Sequence, residues 1–427
     1  GQVQIYLVSG NNLTMMGSTI IGTAEGDRLG RSIAFSQDGS RIAIGLSGPG
    51  NSQRGGIRVF DFNGSNWQSF GGTLIGDSHG DQFGIFLDIS ADGTKLSAGA
   101  GGQSNYDLGY LINFEQQGNQ WVARGDTIYD STVGTSFGEG IAVSASGDIV
   151  AVGAGTSDEN GNNSGRVQVY QWENEQWTPL GNVIYGIHSQ VSLGRAIDLS
   201  DDGLTLALSS AGEIYDDGQG VARVYQLIGN TWTQIGQDLK DPGSQYPSYG
   251  SSITLNAAGN RLAIGKRGAD EVAPWAGRVD IFDLVNGSWV LYDQSLYGSM
   301  EDEWFGHFVE FDDSGDRLLV SAYGASYLPG DILLFEDNPL PVSTLSPGLS
   351  EVSIISQKGL IEIHVPTPLL QDQVDVRIVD PLGRLLYWER QRIMDSWFIP
   401  HRWQGIVYVE IQIGQQKVTK GIWVSSE

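Results

Sequence analysis

The sequence predicts an all-β chain: a β-propeller of four-stranded blades followed by a small β-sandwich. Three observations carry the propeller. Glycine recurs at Gly30, Gly84, Gly138, Gly194, Gly250 and Gly306, at intervals of 54, 54, 56, 56 and 56 residues. A second glycine follows each nine residues on, at Gly39, Gly93, Gly147, Gly203, Gly259 and Gly315. The text on either side of that second glycine alternates apolar and polar or small residues, as half-buried strands do.

Taken in order, each repeat opens with a strand such as "RSIAFSQDG" or "EGIAVSASG" and returns in "RIAIG" or "IVAVGA". The Asp-Gly or Ser-Gly between them supplies the positive φ of a tight hairpin. A third strand follows, as in "GGIRVFDF", "GRVQVYQW" and "GRVDIFDL". A fourth carries a tryptophan in the first five repeats: Trp67, Trp121, Trp177, Trp232 and Trp289. Four strands in about 55 residues, repeated six times, cannot bury both faces alone and pack into a ring.

The strand count is uneven. "GQVQIYLV" at the N-terminus is a seventh third strand, because Gly1 precedes Gly30 by 29 residues, as Gly165 precedes Gly194. The sixth repeat ends at "GDILLF" without a fourth strand, and "LTMMGSTI" is expected to complete it and lock the ring. The surplus leaves two readings, six blades with an extra edge strand or seven with half a blade absent. Six is preferred. An unpaired edge also invites pairing with a second copy.

Composition narrows the function classes. Against 24 Lys and Arg stand 50 Asp and Glu, a net charge of −26, which excludes a general nucleic-acid binder. There is no cysteine, hence no disulfide, thiolate metal site or cysteine nucleophile. No apolar run reaches the about 18 residues of a membrane helix, so no membrane insertion is expected. The chain opens on Gly1 with no methionine, which reads as a processed end or as the boundary of an expressed segment.

The inner hairpins "SFGEGIAVSASGDIVAVGA" and "QFGIFLDISADGTKLSAGA", with the "NTWTQIG" ending, resemble FG-GAP-like repeats of bacterial surface propellers over residues 1–337. That resemblance implies the fold and little about function. A Pro/Ser linker, residues 338–350, precedes a segment of different text, residues 351–427. Its "VRIVDPLGRLLY" and "GIVYVEIQIGQQKVTKGIWV" resemble the type IX secretion (type A) sorting domain of Bacteroidota, with Gly383, Arg384, Gly405, Tyr408, Gly414, Lys417 and Lys420 on the motif. The resemblance implies the type IX machinery as a partner, export across the outer membrane to the surface or the medium, and removal of the domain after export in many members.

Candidate sites are few. Integrin-type calcium loops need several alternating carboxylates, and the hairpin turns here are too short and too poor in them. In "SDENGNNSG", Asp158, Asn160 and Asn162 fall at positions 1, 3 and 5 of a calcium loop, but Val169 stands where the bidentate glutamate belongs. They remain the candidate metal residues, and no other cofactor is implied. "RGD" at Arg124, Gly125 and Asp126 reads as the repeat glycine with chance neighbours. The five repeating tryptophans read as packing between blades, whereas Trp172, Trp275 and Trp304 lie off that register and suit exposed contact. No nucleophile motif appears. The sequence therefore points to an exported, non-catalytic propeller in adhesion, in binding a protein or glycan, or in an extracellular assembly. The alternative is a carbohydrate-active hydrolase or lyase, which requires carboxylates or histidines from several blades to converge.

Overall fold

The computed structural model describes residues 1–336 except 10–11, 25, 49–53, 78–79, 102–107, 211–219, 242–247, 293–294 and 325–330, and beyond them the strands alone. The linker at 338–350 lies outside the described residues. The chain divides into two units, Gly1–Leu334 and Phe335–Glu427.

The first unit is a propeller of six blades. Blade 3 shows the plan: Phe137–Val143, Ile149–Ala154, Arg166–Glu173 and Gln176–Pro179 pair antiparallel in chain order from the axis outward. Blades 1, 2, 4 and 5 begin at Ile33, Phe86, Ala196 and Tyr249 and follow the same order. Blade 6 has three strands among the described residues: Phe305–Phe311, Arg317–Ala322 and Asp331–Glu336.

Both glycines of the repeat have a physical cause. Gly147 closes the blade 3 turn at φ +69°, its N–H donating to Ser144 O at 2.8 Å. Gly194, at φ +100°, sits so close to the neighbouring blade that a Cβ on Gly153 would stand 1.9 Å from its carbonyl oxygen. Bare backbone at these points lets the inner strands meet around the axis.

The blades are tied circumferentially. Turn residues hand one hydrogen bond around the axis: Gln37 N to Ala91 O, Ala91 N to Ala145 O, Ala145 N to Asp201 O, Asp201 N to Ala257 O and Ala257 N to Asp313 O, at 2.9–3.0 Å. At the periphery, the indole N–H of Trp67, Trp177, Trp232 and Trp289 donates to a backbone carbonyl of the preceding outer strand, at Met16, Arg124, Leu180 and Ile235. The repeating tryptophans are therefore packing residues.

The N-terminus corrects one expectation. "LTMMGSTI" does not complete blade 6. Asn12–Met15 pairs with Tyr6–Ser9, and Ile20–Ile21 with Gln2–Val3. This outer half-blade packs on blade 1, where Val3, Ile5 and Ile20 share a core with Leu29, Ile44 and Trp67. Local pairing across a short turn is closed at lower entropic cost than pairing with a strand some 300 residues away.

The second unit has two antiparallel sheets. One joins Ser353–Gln357, Leu360–His364 and Ser396–Pro400. The other runs Leu385–Arg392, Gln373–Val379, Gly405–Ile413, Gln416–Val424. Gly405 and Tyr408 lie on its third strand, and Lys417 and Lys420 on its last. Gly383, Arg384 and Gly414 lie outside the described residues.

Candidate active site in the axial channel

Four residues after the first glycine of each repeat stands a residue of the innermost strand. In blade order these are Ala34, Asp88, Ala142, Asp198, Thr254 and Glu310. Every second blade thus contributes a carboxylate near the axis. Asp88 Oδ2 accepts the Val143 N–H of the next blade at 2.7 Å, and Asp198 Oδ2 accepts the Leu255 N–H at 2.6 Å. Their other oxygens accept the N–H groups of Ile89 and Leu199, both at 2.8 Å. Glu310 has no hydrogen-bond partner among the described residues. It is reached by solvent yet surrounded by protein, as a side chain lining the ring's axis is.

The three carboxyl groups feel one another. Loss of bulk water pushes Asp88 up to about 7, against its two backbone hydrogen bonds and with repulsion from Asp198 added. Burial likewise raises Asp198 to about 6. Glu310 is held well above the ordinary glutamate value, first by burial and then by the charges of Asp198 and Asp88. A carboxyl group whose pKa is raised in the field of a second carboxylate is suited to acid–base catalysis.

At the end of the channel opposite the turns lie Glu139, Arg195 and His307, each one residue after a repeat glycine. Arg195 Nε stands 3.8 Å from Glu139 Oε2. Trp304 stacks on Tyr323 with centroids 6.2 Å apart and an interplanar angle of 26°, and His307 lies 5.6 Å from the same ring. Tyr323 is 63% exposed. Trp304 Nε1 and His307 Nδ1 are buried without a partner among the described residues. Burial, with Arg267 nearby, lowers the His307 pKa and keeps the ring neutral at pH 7.

Sequence reasoning offered Trp304 for exposed contact, and the residue is half-buried against Tyr323; it missed the channel acids. Trp172 instead packs on Trp177 and the Arg124 guanidinium, and Trp275 is half-buried in the connector ahead of the third strand of blade 5. Arg124 is 8% exposed and holds Asp148 and Gly147 O, so "RGD" does not present its cation. Asp158 Oδ1 accepts the Asn163 N–H at 2.7 Å, Asn160 Nδ2 donates to Gly186 O at 2.7 Å, and Asn162 is exposed. Among the described residues no group of three or more His, Asp or Glu side chains is placed to hold a metal ion.

Six blades around an axial channel make this chain a β-propeller. No family model matches it, and no curated protein does. Among solved structures it is similar to a "putative 6-phosphogluconolactonase" of Bacteroides uniformis, at 12% identity and TM-score 0.47 over 91% of each chain. One of Bacteroides fragilis under the same name matches at 13% and 0.47, over 93% of this chain and 97% of that one. A TolB protein of Agrobacterium tumefaciens, named as putative, matches at 12% and 0.39, over 67% and 86%. The expectation that the chain is not an enzyme is corrected: two of these structures bear an enzyme's name. In its own channel, carboxylates of two other blades, Asp88 and Asp198, act on Glu310.

Proposed function

We propose that this chain is an exported carbohydrate-active propeller, binding a saccharide over the Trp304–Tyr323 face and hydrolysing a glycosidic bond with Glu310 as proton donor. The observation that carries the reading is Glu310, solvent-reachable, without a hydrogen-bond partner among the described residues, its pKa raised by burial and by the charges of Asp198 and Asp88. Asp198, ionised at neutral pH, is the partner carboxylate. The exposed face of Tyr323, backed by Trp304, suits the apolar side of a sugar ring. Export rests on the sorting-domain resemblance of residues 351–427. The test is reducing-end release from a panel of bacterial, algal and plant polysaccharides. Turnover that falls at least a thousandfold in Glu310→Gln supports the reading. Absence of turnover across the panel, or turnover indifferent to Glu310→Gln, ends it.

A further inference from the structure

The end of the axis opposite the turns carries a charge that the rest of the chain does not. The residue after each repeat glycine reads, in blade order, Arg31, Ile85, Glu139, Arg195, Ser251 and His307. Two of these positions show where they lie: a Cβ on Gly101 would meet the Glu139 side chain at 3.1 Å, and one on Gly155 the Arg195 side chain at 2.8 Å. The residue after the glycine thus lies over the end of the second strand of the blade before. In the same register Arg267 follows the second strand of blade 5, near His307, whose pKa burial and then the Arg267 charge lower. Tyr323 follows the second strand of blade 6. Around the ring the order is therefore Arg195, Arg267, Tyr323, Arg31.

The three arginines are exposed. Cations elsewhere in the propeller are committed to acids: Arg41 holds Asp61, Arg223 holds Asp238 and Arg261 holds Asp283, at 2.6–2.7 Å. Arg31 and Arg267 make no ion pair or side-chain hydrogen bond among the described residues. Arg195 has Glu139 at 3.8 Å, and burial holds that carboxyl group above the ordinary glutamate pKa. In a chain with 50 Asp and Glu against 24 Lys and Arg, an exposed cation without an acid is the exception. Three of them around one mouth focus a positive field there. The channel acids stand three residues further along the inner strands, about 10 Å deeper at the rise of a strand.

Resting on the saccharide reading above, we propose that the ligand is an acidic polysaccharide, its carboxylate or sulfate groups held by Arg31, Arg195 and Arg267 while a sugar ring lies on Tyr323. A guanidinium presents paired N–H donors in a planar fork that matches two oxygens of either group. A neutral polysaccharide would leave these forks to water. Deeper in the axis the carboxyl pKa values are raised, so the acids there repel an anionic chain less than three full charges would.

The experiment measures equilibrium binding of the full chain carrying Glu310→Gln, which keeps the polymers intact. The probes are two carboxylated polymers, polygalacturonate and alginate, and a sulfated one, carrageenan, each beside its carboxyl-reduced or desulfated counterpart. At least one acidic polymer is expected to bind at least about tenfold more tightly than its neutral counterpart, an advantage that shrinks with added salt. Arg31→Gln and Arg267→Gln should each reduce that advantage severalfold, and together abolish it. Both sites are exposed, so folding is retained, which circular dichroism verifies. Which polymers bind tells carboxylate from sulfate. No preference for any acidic polymer over its neutral counterpart, or a preference indifferent to the double arginine variant, overturns the proposal. The hydrolytic reading fails separately: arginine-dependent binding of an acidic polymer that the unsubstituted chain never cleaves ends hydrolysis and upholds the ligand. Glu310-dependent cleavage of neutral polymers alone does the reverse.

Discussion

Gln37 Nε2 donates to Asp313 Oδ2 at 2.7 Å, joining the turn of blade 1 to the turn of blade 6. At the other five junctions the equivalent tie is a backbone hydrogen bond. The seam is thus held at its axial end by two solvent-exposed side chains, the weakest kind of link in the ring. Gln37→Ala is expected to cost less than about 1 kcal/mol in urea unfolding. A loss of about 3 kcal/mol or more would mean the bridge is structural in a way its exposure does not suggest.

The tryptophan register should be costly to disturb. Trp232 is 3% exposed, its indole donates to Leu180 O at 2.9 Å, and its ring lies against Gly181. Trp232→Ala is expected to lose about 3–5 kcal/mol. Trp232→Phe, keeping most of the apolar contact but orphaning the carbonyl, should lose about 1–2 kcal/mol. Chemical denaturation of both variants checks the order.

A buried charge cluster braces blade 5. Lys266 is 1% exposed and paired with Asp241 and Glu271, while Arg278 reaches Asp241 at 3.0 Å, Glu271 at 2.6 Å and Asp280 at 3.0 Å. Without Asp241, Lys266 keeps only Glu271 and Arg278 keeps Glu271 and Asp280, so Asp241→Ala should destabilise by about 2–3 kcal/mol. Thermal unfolding reads this, and a change below 1 kcal/mol would refute it.

The channel acids set a pH dependence. Asp88, Asp198 and Glu310 have native pKa values raised above their unfolded ones, so the folded chain binds more protons there than the unfolded chain. Their contribution is fully present below about pH 4 and is lost as pH rises through about 7. Asp238, held low chiefly by its hydrogen bonds from Arg223, acts oppositely and only below about pH 4. Glu310→Gln should therefore raise the melting temperature at pH 8 and leave it nearly unchanged at pH 4.5. Equal shifts at both pH values would contradict the assignment.

Export is testable separately. Residues 338–427 fused to a periplasmic reporter in a bacterium with a type IX apparatus should carry it to the surface or medium, and deletion of residues 405–427 should abolish this. Reporter retained in the periplasm with the intact fusion would remove the sorting role.

Much of the fold was legible because it repeats. Gly30 to Gly315 mark six hairpins whose repeat glycines all take positive φ, which favours glycine, and a constraint repeated six times stands out in text. The channel was not legible in any one repeat. Asp88 in "IFLDIS" and Glu310 in "HFVEFD" look like ordinary polar positions of an alternating strand. Reading the fourth residue after each first glycine as a column, Ala34, Asp88, Ala142, Asp198, Thr254, Glu310, would have shown the alternate-blade acids. The partner of "LTMMGSTI" was misjudged because repeat counting ignores chain entropy: Asn12–Met15 pairs with the strand beside it.

The central claim is that carboxylates from three blades converge to raise the Glu310 pKa. The most direct measurement is a carboxyl 13C NMR titration of glutamate-labelled protein, with the Glu310 signal assigned by its loss in Glu310→Gln. The account predicts a midpoint well above that of the exposed glutamates, falling towards them in Asp198→Asn. A midpoint at the ordinary glutamate value, unmoved by Asp198→Asn, would contradict it.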